Sequence, residues 1–314
     1  MNSFTHNPVL VAEVLAALAP MTGRRYLDGT LGGAGHAVEI LKASSPAGWL
    51  LGIDRDGTAL AAAAERLAPF AGRYELRHGT FDRMGEWVEP GSCDGVLLDL
   101  GVSSPQLDHP GRGFSFREDG PLDMRMDPSS GGTTAAAWVN SAAVEELERI
   151  FFEYGEEPRA RRLARAIGEE RNVQPLTSTR QLAALIERTT PRGGARLHPA
   201  TRAFQALRMV VNDELGQLRR GLEAALLALR PGGRLAVITF HSLEVRVLKQ
   251  FARPLTLDYT FDGEIDVPEL RRPKPPELRW VVRRAQTASD AELAANPRAR
   301  SAQLRVLERM GHGS

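Results

Sequence analysis

In the first third of the chain, short apolar runs rich in Val, Ile, Leu and aromatic residues end at Gly or Asp and alternate with stretches of helical periodicity. That alternation predicts βαβ units around a parallel sheet. "RRYLDGT" reads as a first strand and "AVEILKAS" as its helix, "WLLGIDR" as a second strand and "GTALAAAAERLAPF" as a second helix. "YELRHG" and "CDGVLLDLGV" supply a third and a fourth strand, the latter apolar throughout, as suits the middle of a parallel sheet. Asp28, Asp54 and Asp99 close three of these strands and Phe81 follows another. They collect on the carboxyl edge, where open α/β sheets bind ligands.

Beyond Asp99 the alternation stops. From about Ser103 to about Thr201 the pattern is polar, broken by Gly and Pro, and then helical ("SAAVEELERIFFEYG", "EPRARRLARAIGEER", "TSTRQLAALIERT") with no strand signal. It reads as a helical insertion, residues 104–204, in a discontinuous α/β domain made of 1–103 and 205–314. The α/β pattern resumes with a long helix, "FQALRMVVNDELGQLRRGLEAALLALRPGG", ended by Pro-Gly-Gly. The strand "RLAVITF" and the helix "HSLEVRVLKQFA" come next. Residues 253–278 hold five prolines and form a loop-rich excursion before two late strands, "LRWVVRRA" and "AQLRVLER".

Composition narrows the class. A chain of 314 residues, 42% hydrophobic, can bury a sizeable core. The formal charge is only +1, so any nucleic-acid surface must be a local patch. Only three basic residues are lysine, Lys42, Lys249 and Lys274; the arginine bias fits either genomic composition or phosphate recognition. Cys93 is the single cysteine, which excludes an intrachain disulfide and a cysteine zinc cluster. "PVLVAEVLAALAP" is interrupted by Glu13 and lacks a basic leader, so it reads as an amphipathic helix. With no apolar run near the roughly 18 residues a membrane span needs, the expected location is cytoplasmic, with no membrane partner.

The turn "LDGTLGGAGHAVEIL", Leu27 to Leu41, carries the chemistry. A P-loop needs Gly-Lys-Ser/Thr, and no lysine lies near. Gly29, Gly32, Gly33 and Gly35 do not fall in the G-x-G-x-x-G spacing of dinucleotide folds, and Asp28 would repel a pyrophosphate. A leading carboxylate suits a cationic ligand such as S-adenosylmethionine, with the glycines allowing close backbone approach. Asp54 is placed to accept both ribose hydroxyls of a nucleoside. Phe81 could stack on adenine or pack as a core aromatic. The seven histidines (His6, His36, His78, His109, His198, His241, His312) show no ligand spacing, so no metal is expected. A hydrolase triad through Ser103 or Ser104 and His241 lacks its G-x-S-x-G elbow.

Three longer stretches go beyond class. "DGVLLDLGVSSPQLDHPGRGFSFREDGPLDMRMD", "HPATRAFQALRMVVNDEL" and "FHSLEVRVLKQF" with "NPRARSAQLRVLER" join "HNPVLVAEVL" and the glycine turn. Together they closely resemble the RsmH, or MraW, family of bacterial small-subunit rRNA methyltransferases over nearly the whole chain. The resemblance implies a Rossmann-like class I fold of the S-adenosylmethionine-dependent methyltransferases, interrupted by an all-helical substrate-recognition domain. It implies transfer of a methyl group from S-adenosylmethionine to the exocyclic N4 of a cytosine in the decoding region of 16S rRNA, within the small ribosomal subunit. Carried over by motif, the cofactor contacts are Ala34, Gly35, His36, Asp54, Phe81, Asp99 and Gln106, with Asp99 also the candidate catalytic group. The chain departs from the family at Ala34, where glycine is usual and where alanine calls for a negative φ, and at Val245, where aspartate is common after "HSLE".

For RNA, Phe114 and Phe116 in "RGFSF" are candidate stacking residues, with packing inside the insertion as the alternative. Arg112, Arg117 and Arg125 in that loop, with Arg202 and Arg208 beside "FQALR", are candidate phosphate contacts. The arginines of "EPRARRLARAIGEER" alternate with glutamates and read as a self-paired solvated face, so the loop outranks this helix as an RNA surface. An NAD-dependent oxidoreductase and a noncatalytic RNA-binding module stand as competing readings; the turn argues against the first and the intact "DLGVSSPQ" against the second. A homodimer is left open.

Overall fold

The computed structural model describes residues 8–190, 198–261 and 266–311. His6, Asn7 and His312 lie outside the described residues, so the head of the "HNPVLVAEVL" stretch does too. In chain order the elements are α1 (Val11–Leu18), β1 (Arg25–Asp28), α2 (Gly35–Ala43), β2 (Trp49–Asp54), α3 (Gly57–Leu67), β3 (Tyr74–His78) and β4 (Cys93–Asp99). The helices α4 (Ser104–Asp108), α5 (Ala135–Ser141), α6 (Val144–Glu153), α7 (Ala160–Val173), α8 (Thr179–Thr189), α9 (Ala200–Val211) and α10 (Glu214–Ala228) follow. The chain then forms β5 (Leu229–Thr239), α11 (Ser242–Thr256), β6 (Tyr259–Phe261), β7 (Arg271–Pro273), β8 (Leu278–Trp280), β9 (Gln286–Thr287), α12 (Asp290–Ala295) and β10 (Gln303–Arg309).

The chain divides into two compact units, Met1–Gly101 with Leu215–Ser314, and Val102–Glu214. The first is built on a mixed sheet in the order β3-β2-β1-β4-β5-β10-β8, with β9 pairing to β10. Strands β1 to β5 run parallel, and β10 is antiparallel to both β5 and β8. Side chains such as Ile40, Leu41, Leu50, Leu97 and Ile238 are fully buried in its core, as continuous apolar runs demand of strands covered on both faces. Asp56 caps α3 by accepting the Thr58 N–H at 3.0 Å, which places the strand end at Asp54 and starts the helix directly after it.

The second unit is helical around its own core, where Leu147, Ile150, Phe151, Leu163, Ile167, Leu182 and Leu207 are fully buried. Ser178 and Gln181 form a capping box on α8. The sequence pattern runs one long helix through residues 204–230, but the chain turns between α9 and α10, where Asp213 has φ 46°. The cause is not local. Asn212 donates to the Met124 and Arg208 carbonyls and accepts from the Met126 N–H, each at 2.8 Å, so a polar side chain ties α9 to a loop far back in sequence. The unit boundary accordingly falls at Glu214, beyond α9, and not after residue 204. Two further departures lie in the last third: Leu229 already pairs with Cys93 in the sheet ahead of Pro-Gly-Gly, with a bulge following, and the proline-rich excursion contains the β6–β7 hairpin. No helix among the described residues is long and apolar enough to cross a membrane.

Candidate functional site

The parallel register brings Asp28, Asp54 and Asp99 to one edge of the sheet: Asp28 pairs with Leu97 and Gly52, and Asp99 with Ile238. Asp28 is buried and accepts the Thr30 N–H at 3.2 Å. Burial, against that hydrogen bond and reinforced by the Asp54 charge, pushes its pKa up to about 7. Asp54 accepts the Gly32 N–H at 2.7 Å and the Asp56 N–H at 2.8 Å, so it locks the glycine turn onto β2; burial raises its proton affinity and those N–H groups oppose the rise. The Asp99 N–H donates to Thr30 Oγ1 at 2.6 Å. Its carboxyl is held well above the usual range by burial and then by the charges of Asp28 and Glu244.

His36, on the first turn of α2, is buried. Its Nε2 donates to the Val9 carbonyl at 2.8 Å, which leaves Nδ1 facing Asp99 Oδ2 at 3.8 Å. Asp99 Oδ1 is buried without a hydrogen-bond partner among the described residues. No lysine or arginine pairs with Asp28 or Asp99 among the described residues. Three carboxylates of raised proton affinity beside one imidazole disfavour a phosphate and favour a cationic ligand that also offers a donor to Asp99. A ligand with a sulfonium, an ammonium and ribose hydroxyls fits that donor and acceptor set.

The turn itself differs from its expected form. Ala34 caps α2 with φ 59° and ψ 27°, a left-handed conformation where a negative angle was expected of an alanine. A side chain added at Gly35 would meet Pro8 Cγ at 2.8 Å, so this glycine is needed for packing of the preceding segment. At Gly32 and Gly33 the same position meets nothing within 4 Å, and the open space of the turn lies there. Phe81 is half-buried, its Cβ against Gly29 and its ring against Gly221 of α10, where an added Cβ would come within 2.4 Å of two ring carbons. The packing alternative thus describes one side of Phe81, and the residue borders the edge.

The remaining candidates belong to the helical unit. Gln106 is buried, and its Oε1 accepts the Ser103 N–H at 3.0 Å in a capping box on α4. Arg112 donates to the Arg125 and Met126 carbonyls and lies over Phe114, which is a core residue. Arg125 forks onto Asp123 at 2.8 and 2.7 Å and reaches the Pro128 and Gly132 carbonyls. Arg208 forks onto Glu214 at 2.7 Å through both nitrogens. Phe116 sits between His198 and Phe204, with centroids 4.6 and 4.9 Å away. Of the five candidate arginines, Arg117 and Arg202 alone are exposed with no side-chain partner among the described residues. The loop arginines therefore serve mostly as internal braces, because planar guanidinium forks satisfy several carbonyls of an irregular loop at once.

Sequence reasoning passed over Thr30, which ties β1 to β4, and Glu244. Glu244 is buried, accepts the Phe240 N–H at 2.7 Å and pairs with His241 Nε2 at 3.0 Å. The "HSLE" stretch was its only signal. Val245, where the resemblance places an aspartate, is half-buried beside it.

The MraW methylase family model matches residues 3–310. The ribosomal RNA small subunit methyltransferase H of Geobacter sulfurreducens is 51% identical over 313 residues, covering 98% of this chain and 100% of that protein. The protein of the same name from Syntrophotalea carbinolica is 50% identical over 312 residues, covering 98% of each. Among solved structures, an rRNA methylase from Streptococcus thermophilus aligns over 98% of this chain and 100% of its own, with 11% identity and a TM-score of 0.45. A full-length match to the family model, with relatives at half identity end to end, leaves one conclusion: the chain belongs to the MraW methylase family.

Proposed function

We propose that this protein transfers a methyl group from S-adenosylmethionine to the exocyclic N4 of a cytosine in 16S rRNA. The observation that carries the reading is the edge formed by Asp28, Asp54 and Asp99, where no lysine or arginine pairs with Asp28 or Asp99 among the described residues and Asp99 Oδ1 is buried without a hydrogen-bond partner among them. When bound, the cofactor supplies a methyl group made electrophilic by its sulfonium.

The chain supplies position and proton handling. Asp54 keeps lone pairs for ribose hydroxyls beyond the two N–H groups it already accepts, and Phe81, braced by Gly221, offers an aromatic side to adenine. Ala34, Gly35 and His36 form the turn against the methionine end. Gln106 holds the Ser103–Gln106 turn. The N4 lone pair is delocalised into the ring, so the amine needs alignment; an N4 hydrogen donated to Asp99 Oδ1 localises that pair and gives the departing proton an acceptor. Thr30 fixes the Asp99 backbone, and His36 fixes its other oxygen's surroundings. The base must be unstacked to be reached. Arg117 and Arg202 are the exposed contacts for RNA, and Phe116 orders the surface that carries them. The reading needs no metal and places the protein in the cytoplasm, on the small ribosomal subunit.

The test is methyl transfer from S-adenosylmethionine to small subunits taken from cells that lack the modification, beside calorimetric titration with S-adenosylmethionine and with NAD. Methyl incorporated at a cytosine N4, with binding of the first ligand alone, is the expected result. Binding without transfer would leave a noncatalytic RNA-binding module, and binding of NAD alone an oxidoreductase.

A further inference from the structure

We infer that the outer face of α7 is a docking site for the sugar-phosphate backbone of RNA; this rests on the proposed rRNA substrate and names a surface that engages it. A cleft of about 590 Å³ on the helical unit is lined by Arg159, Arg161, Arg162 and Arg165, with Glu169 as its one acid and Thr189 of α8 at its margin. Its walls carry a net charge of +3 in a chain whose whole formal charge is +1.

Alternation with glutamates predicts that these arginines neutralise themselves, yet the structure spends the acids elsewhere. Glu170 pairs with Arg188 of α8 at 3.2 Å, and Glu157 accepts the Arg159 backbone N–H at 3.0 Å. Arg161, Arg162 and Arg165 are exposed and make no hydrogen bond or ion pair to any described residue. Two neighbouring arginines of this unit are partnered: Arg149 pairs with Glu153 at 3.1 Å, and Arg171 donates to the Val139 and Ala142 carbonyls. Three unpaired cations on one face repel one another, and such an arrangement persists at a cost that an anionic partner relieves.

The geometry suits a chain of phosphates. Arg161 and Arg165 stand one helical turn apart, about 6 Å along the axis, with Arg162 on the adjoining row. Each guanidinium offers a planar fork to phosphate oxygens. The lining holds no aromatic side chain for a free nucleotide and only Pro158 and Ala166 as apolar residues, too little for the apolar centre of a protein interface. The cleft is thus a sequence-independent positioning surface.

The triple variant Arg161→Ala, Arg162→Ala, Arg165→Ala tests it. Alanine keeps the exposed helix favourable, so the circular dichroism spectrum stays that of the wild type. Binding of a 16S rRNA transcript is measured from 50 to 200 mM KCl, with Arg149→Ala as the self-paired control. The slope of log affinity against log salt is expected to lose about 2, at roughly 0.7 per released phosphate contact on a single strand. KM for RNA should rise at least tenfold, with kcat at saturating RNA and the affinity for S-adenosylmethionine unchanged, and Arg149→Ala should match the wild type. A wild-type slope and KM in the triple variant, from a protein that still methylates RNA, would overturn the docking face alone. A wild-type protein that neither binds nor methylates the transcript, and that also fails on small subunits lacking the modification, would overturn the function beneath it.

Discussion

His36 Nδ1 faces Asp99 Oδ2 at 3.8 Å while its Nε2 is held by the Val9 carbonyl, so a buried imidazole of fixed orientation turns its second nitrogen toward the carboxyl at the end of β4. Asp99 is 22% exposed and its proton affinity is raised by burial and by Asp28 and Glu244. The ionised form is the one that accepts a proton, so turnover should climb with pH through its elevated pKa. Asp99→Asn should lower kcat by about 10² to 10⁴, the usual span for a positioned acid or base, and abolish that climb. Single-turnover methyl transfer across pH 6 to 9 checks it; a full rate with the climb retained would remove Asp99 from proton handling.

Asp28 gives a stability prediction whose sign is opposite to that of a salt-bridged carboxylate. Its folded pKa, about 7, lies above the ordinary aspartate value of 3.8, so the native state binds more protons between those limits and stability falls as pH rises from about 4 to about 7. Asp28→Asn should raise the melting temperature at pH 8, leave it nearly unchanged at pH 4, and weaken binding of the cationic cofactor. Calorimetric melts at both pH values read the first effect and titration the second. In the wild type, cofactor affinity should rise between pH 6 and 8, since a cation favours the ionised carboxylate.

At Ala34 the balance of terms decides. Relief of a left-handed alanine is worth about 1–2 kcal/mol. Against it stand about 0.8 kcal/mol for the buried methyl and about 0.4–1 kcal/mol for the added freedom of glycine in the unfolded chain. Ala34→Gly should therefore change stability by less than about 1 kcal/mol in chemical denaturation, and the family's usual glycine is not required for folding. Gly35→Asp is a poor probe of cofactor binding, because the new side chain must displace Pro8. Gly33→Ala adds a methyl to open space at an exposed position of the turn. It should keep the melting temperature and lower cofactor affinity at least tenfold if the ligand lies over the turn.

Arg202 and Arg208 occupy one helix with different fates. Arg208 and Glu214 are 15% and 11% exposed and share two short hydrogen bonds, so Arg208→Ala strands a nearly buried carboxylate. The expected loss is about 3 kcal/mol, seen as early unfolding of the helical unit. Arg202→Ala should leave the melting curve alone and raise KM for RNA. Equal destabilisation by both would refute the division.

The parallel strands and their terminal aspartates were legible because period, apolar run and strand-end chemistry are local properties. The Asn212 break was hidden, since its cause is a bond to Met124 and Met126, 88 and 86 residues away. The roles of Arg112 and Arg125 were hidden for the same reason: a guanidinium reads as a phosphate ligand until its carbonyl partners are known. The unpaired arginines of α7 were hidden as well, because helical spacing brings opposite charges near without obliging them to pair. The Asp54–Asp99 edge followed from strand ends alone, but the strain at Ala34 and the burial of Glu244 appear only with the backbone in place.

Strand β10, residues 303–309, lies inside the sheet between β5 and β8, and its partner β5 ends more than sixty residues earlier. During synthesis the apolar β5 edge stays open until those last residues emerge. A chain stopped before Gln303 is therefore not a smaller methyltransferase with a trimmed tail; it presents an unpaired edge strand whose Leu235–Ile238 run is apolar, the kind of template on which chains aggregate.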